Sequence, residues 1–139
     1  MRPELLKYIQ SQSRNKIVFY KNDLYNLESI NLGKELSEQL KGIVNDKRMV
    51  MKALNILDEI LSSSIKESSL YGKYLSIKNI GILFEPSLKI EFLQLLNKYS
   101  LSNALFIQWN GEIENNNLYF LSKLKEQKIN IENLSHITI

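Results

Sequence analysis

The side chains best equipped for chemistry are basic and amide groups that follow hydrophobic runs. Tyr20-Lys21-Asn22 closes one run, Lys78-Asn79 a second, and Trp109-Asn110-Gly111 a third. Lysine and amide donors gathered at strand ends suit an anion such as phosphate, because each donates to its oxygens. Isolated lysines at such places also serve simply as solvated surface, and Lys21 and Lys78 are open to both readings. Trp109, the only tryptophan, either caps the core at a strand end or offers a partner an apolar plate with one donor.

Several other chemistries fall away. With no cysteine there is no disulfide, no thiolate nucleophile and no cysteine-ligated metal. The single histidine, His136, stands in Ser135-His136-Ile137-Thr138-Ile139, and no serine has a G-x-S-x-G context. A general base needs a nucleophile and an orienting partner. His136 therefore reads as an edge-strand residue facing water. Glu112 and Glu114, beside Asn115, Asn116 and Asn117, offer oxygens but lack the spacing of a calcium loop, and read as a solvated turn. Asp58 and Glu59 are consecutive on a helix and diverge, so they make no acid/base pair. A phosphate-cradling P-loop needs G-x-x-x-x-G-K-[ST] between strand and helix. Here the first strand is followed by Lys21-Asn22-Asp23-Leu24-Tyr25-Asn26, without a glycine, and Gly33 comes late and alone. The chain has no Walker A motif, and no cofactor is expected.

Composition sets the frame for these residues. The 139 residues, 44% hydrophobic and 24% charged, describe one globular domain over 1–139. No apolar stretch approaches the ~18 residues of a membrane span, and the start lacks the apolar region of a secretory signal. A cytoplasmic protein without a membrane contact is expected. Residues 1–70 carry eleven basic and nine acidic groups, residues 71–139 seven and six. The densest basic groups are Lys47-Arg48 and the set Lys123, Lys125 and Lys128. So even a spread favours solvated surface over a phosphate-tracking face. DNA or RNA binding through Tyr20, Tyr25, Lys21, Arg48 and the 123–128 cluster remains the weaker alternative.

The elements that position these residues follow from pattern. Pro3 opens a short helix with Leu5, Leu6 and Ile9 on one face. Residues 16–20, 73–78 and 103–109 read as strands, 27–30, 118–121 and 136–139 as weaker ones. Asn31 is a candidate N-cap for a helix bearing Leu32, Leu36 and Leu40 and ended by Gly42. A second helix is expected from Asp46, with Val50, Ala53, Leu54, Leu57 and Leu61 as its buried stripe. Residues 62–69 read as a surface loop, and 80–84 as a strand or a first helical turn. Pro86-Ser87 are expected to open a third helix carrying Leu88, Phe92, Leu95, Leu96 and Tyr99, and 111–117 a polar turn. Strands alternating with amphipathic helices predict a layered α/β domain with a mainly parallel sheet, whose ligands bind at the C-terminal strand ends.

Three segments resemble BrxF, the small P-loop ATPase-like component of type 3 bacteriophage exclusion (BREX) systems. Residues 30–40, with Asn31-Leu32 and Leu36-Ser37, look like its N-L-x-x-x-L-S-x-x-L segment. Residues 79–88 look like its N-I-E-I-L-F-D-P-S-L. Leu95-Leu96 with residues 104–111 look like its helix and the strand ending in W-x-G. The departures are concordant. The interval 21–30 is too short for the family's P-loop and helix, and Lys78 stands where the family's Walker B strand ends in Asp. An ammonium there opposes a divalent cation. The resemblance implies a P-loop-NTPase-like scaffold lacking its P-loop, a nucleotide-free adaptor or regulatory subunit among phage-defence proteins. Tyr20, Lys21, Asn22, Lys78, Asn79 and Asn110 would then mark the degenerate nucleotide site, with Trp109 a possible partner contact. A nucleotide-sensing regulator without hydrolysis is a further alternative.

Overall fold

Five parallel strands form the centre of the structure, a computed structural model that describes residues 3–120 and 128–139. They are β1 (Ile17–Tyr20), β2 (Ile30–Asn31), β4 (Gly72–Lys78), β5 (Ala104–Gln108) and β9 (His136–Thr138), in the spatial order β2-β4-β5-β1-β9. β3 (Lys66–Ser68) pairs antiparallel with the start of β4, on the edge it shares with β2. The chain leaves β1 for the far edge, returns through β4 and β5, and then crosses over β1 to β9. Right-handed crossovers put the connection from β1 to β2 on the opposite face from all the others.

The side chains agree with that geometry. Ile17, Phe19, Leu75, Ile77, Leu105 and Ile107 point to a large core. It is closed by α2 (Leu32–Leu40), α3 (Met49–Ser63) and α4 (Phe92–Tyr99). A second, antiparallel sheet closes the same face, built from β6 (Ile113–Glu114), β7 (Asn117–Tyr119) and β8 (Lys128–Asn130). The alternate residues Val18, Tyr20, Tyr74, Ala104 and Phe106 face a smaller core under α1 (Pro3–Ile9), Tyr71 and the 21–29 connection. Tyr71, Tyr74 and Phe106 meet there edge to face, with centroids 5.1–6.1 Å apart. Both faces of each central strand are covered, which is why β1 reads as an unbroken apolar run.

Several expectations are corrected. α3 starts at Met49, and it buries Ala53, Leu57, Ile60 and Leu61 while leaving Leu54 47% exposed. Residues 62–69 include β3, and 111–117 include β6. The Asn115-Asn116 turn has φ of 53° and 63°, the positive pair that a two-residue hairpin with a type I′ twist requires. Pro86-Ser87 open only a 3-10 turn (Pro86–Leu88). Lys89 then adopts φ 53°, and the helix restarts at Phe92. Residues 80–84 are a 3-10 turn over Gly81–Phe84 rather than a strand. Lys123, Lys125 and Leu121 lie outside the described residues.

Candidate functional site

In open α/β sheets the ligand crevice opens where neighbouring strands send their connections in opposite directions. Here that place lies between the C-terminal ends of β1 and β5, and it is bridged. The Trp109 N–H donates to the Tyr20 carbonyl at 2.9 Å, and Gln108 Nε2 donates to the Lys21 carbonyl at 2.9 Å. Sequence reasoning missed Gln108, because nothing in a lone glutamine after an apolar run signals a bond to a residue 87 positions away.

The 21–29 connection lies as a strap over the smaller core, and three tyrosines fasten it. Tyr20, Ser29 and Ser76 share a ring of hydroxyl contacts of 2.5–3.1 Å. The Tyr71 hydroxyl donates to the Tyr25 carbonyl at 2.6 Å, and the Glu28 N–H donates to the Tyr74 hydroxyl at 3.2 Å. Lys66 and Glu28 add an exposed ion pair at 3.2 Å. Tyr20 is 2% exposed, so it offers no ring to a nucleobase, whereas Tyr25 is 72% exposed at the outside of the strap. Burial, with Tyr74 second, raises the Tyr71 phenol above its usual pKa, which keeps it a donor.

Of the residues expected at a degenerate site, Lys21, Asn22, Asn79 and Asn110 are exposed and Lys78 is half-buried. Among the described residues neither lysine pairs with a carboxylate. Asn79 is committed locally. At φ 55° it turns the chain out of β4, and its amide donates to Asn31 Oδ1 at 2.7 Å. The same oxygen accepts from the Lys34 N–H at 3.0 Å and so caps α2, as expected from the sequence. The Asn79 carbonyl accepts from the Gly33 N–H at 2.9 Å. A Cβ on Gly33 would stand 2.6–2.9 Å from Asn79 atoms, so only glycine lets α2 approach β4 this closely.

Trp109 lies in the core at its strand end, the first of the two readings open to it. It is 4% exposed, its Nε1 donates to the Tyr119 carbonyl at 3.1 Å, and its ring packs against Phe84 and Phe120. Gly111 lets the chain pass under the second sheet, since a Cβ there would fall 1.8 Å from the Tyr119 carbonyl oxygen. Beside this aromatic cluster an open cleft of about 400 Å³ runs between Asn79-Ile80-Gly81 and Gln108-Trp109-Asn110. It lies beyond β4 and β5, one strand away from the bridged crevice.

The remaining candidates resolve as follows. His136 lies on an edge strand, but it is half-buried, set edge-on to Phe19 at 6.0 Å, with Nδ1 2.8 Å from the Leu134 carbonyl. It does not simply face water. Asp58 turns inward to accept from the Tyr99 hydroxyl at 2.5 Å and Lys98 at 3.1 Å, while Glu59 is exposed. Glu112 and Glu114 flank the start of the β6–β7 hairpin. Among the described residues no group of three or more acidic or histidine side chains is placed to hold a metal, and no helix is long and apolar enough to cross a membrane. Comparison of the chain with models of known families, with characterised proteins and with solved structures returned no match.

Proposed function

We propose that this chain is a non-catalytic, P-loop-like α/β adaptor of a bacterial phage-exclusion system, acting through contacts with other defence proteins. One observation carries the reading. The crevice between β1 and β5 is closed by Gln108 on Lys21, and the connection that a phosphate-binding loop and its helix would need is a nine-residue strap, 21–29, pinned by tyrosines. A nucleotide phosphate has no glycine-lined backbone nest to enter there. The three segments that resemble BrxF also meet in space: Asn31 and Gly33 on Asn79, and Phe84 on Trp109. That contiguity supports their being one inherited core rather than scattered coincidences. Large apolar side chains exposed on and beside α3 and α4, namely Val44, Met51, Leu54 and Leu93, supply surface for partner contacts.

The test has two arms. Thermal-shift titration with millimolar Mg-ATP or Mg-GTP is expected to leave the midpoint unchanged in the wild type and in Lys21→Ala and Lys78→Ala. A rise of several degrees that either substitution abolishes would replace the adaptor with a nucleotide-binding regulator. Co-purification with the defence proteins encoded beside it is expected for the wild type and lost in Met51→Glu/Leu54→Glu. Absence of any such partner would sink the reading.

A further inference from the structure

The two edges of the parallel sheet are finished differently. The β3 side presents Lys66 and Glu67, and β2 is only two residues long, so that edge carries charge and little length. The β9 side has none of these guards. Residues 134–139 read Leu-Ser-His-Ile-Thr-Ile, without proline, lysine or carboxylate side chain. β9 pairs with β1 through Ile17↔His136, Val18↔Ile137 and Phe19↔Thr138, and the Ile139 N–H donates to the Phe19 carbonyl at 2.9 Å. In this parallel register Ile137 and Ile139 aim their backbone groups inward at β1, and His136 and Thr138 aim theirs outward. Among the described residues β1 is the only strand beside β9, which leaves those outward groups without a ladder partner.

We infer that β9 pairs antiparallel with β9 of a second copy, about a two-fold axis through Ile137. The strand is self-complementary in that arrangement. His136 and Thr138 of one copy exchange N–H···O bonds with Thr138 and His136 of the other, four in all. Ile137 then faces Ile137 across a non-hydrogen-bonded pair, where Cα atoms stand about 4.5 Å apart and β-branched side chains pack well. Ile137 and Ile139 lie on the side of the smaller core, which the pairing extends from one copy to the next. No like charges meet at the seam, and the axis makes the contact closed rather than fibre-forming. The seam is short, so association belongs to the weak class.

Absence of cysteine makes the geometry directly testable. Ile137→Cys sets two thiols at a separation that a disulfide spans. Mild oxidation is expected to cross-link it about ten-fold or more faster than Asn55→Cys, an exposed control on α3, which covers the opposite face of the sheet from Ile137. Adding Thr138→Pro removes an outward N–H while keeping every bond to β1, and is expected to return cross-linking to the control rate. Thr138→Lys serves the same purpose should circular dichroism show the proline variant misfolded. Sedimentation of the wild type up to on the order of 100 µM is expected to show mass rising toward the dimer. A wild type monomeric throughout, equal cross-linking of the two cysteine variants, or a dimer indifferent to Thr138→Pro and Thr138→Lys would each overturn the pairing.

Discussion

Gly33 and Gly111 are the positions where one methyl group is felt most, and helix propensity misjudges the first. Ala is favoured over Gly by about 1 kcal/mol inside a helix. Yet Gly33→Ala drives a Cβ into the Asn79 carbonyl at 2.8 Å, so a net loss of about 1–3 kcal/mol in urea unfolding is expected. Gly111→Ala has no room to yield against the Tyr119 carbonyl and is expected to cost about 3 kcal/mol or more. Lys89 runs the other way. It holds φ 53° while exposed, and Lys89→Gly is expected to stabilise by about 1 kcal/mol in the same assay. The Asn31 cap was legible, because an amide before an apolar stripe has few other uses. Burial of Tyr20 and Trp109 at the ends of apolar runs was legible too, but their partners Ser29, Ser76 and Tyr119 were not, because sequence does not bring them near.

At the scale of elements, α3 and α4 are latched by Tyr99 on Asp58, with Lys98 beside them. The Tyr99 hydrogen bond, more than Lys98, holds the Asp58 carboxyl below its usual range against a smaller opposing effect of burial. A depressed carboxylate contributes stability that is present above its unfolded pKa and lost as pH falls through the folded one. Tyr99 is pushed up, by burial first and Asp58 second, so its contribution is present below the ordinary phenol range and fades above about pH 10. Tyr99→Phe is thus expected to flatten both the acid limb below about pH 4 and the alkaline limb of a stability–pH profile. The face of α3 was legible through Ala53, Leu57 and Leu61, but Leu54 was assigned to it and Ile60 was missed, because apolar residues surround the helix. Met51, Leu54 and Ile56 compete with Ala53, Leu57 and Ile60, and only packing against the sheet chooses. β3, reading Lys-Glu-Ser, has no apolar residue, and β8, reading Lys-Ile-Asn, is too short for its alternation to stand out. They exist through their pairing with β4 and β7.

For the whole molecule, the layered α/β class and the strands β1, β4 and β5 were readable, since strands buried on both faces are written as apolar runs. Strand order was not, because order depends on where each crossover lands. The consequence is a fold protected unequally on its two sides: three helices and a second sheet on one face, a seven-residue helix and a strap on the other. Replacing residues 22–28 by a Gly/Ser linker of equal length removes Leu24 and Leu27 from the smaller core and leaves Tyr71 and Tyr74 only the main chain of a flexible strap to hold. Such a variant is expected to bind an apolar dye and to melt at least several degrees lower, with β1 and β5 still protected in hydrogen exchange. Trp109 carries one more consequence, an optical one. The lone indole sits where the parallel sheet meets the antiparallel one and is bonded to β7 through Tyr119, so its emission reports that junction and nothing else. A native spectrum in the blue, shifting red before the backbone ellipticity falls, would identify the small sheet as the first part of the molecule to come away.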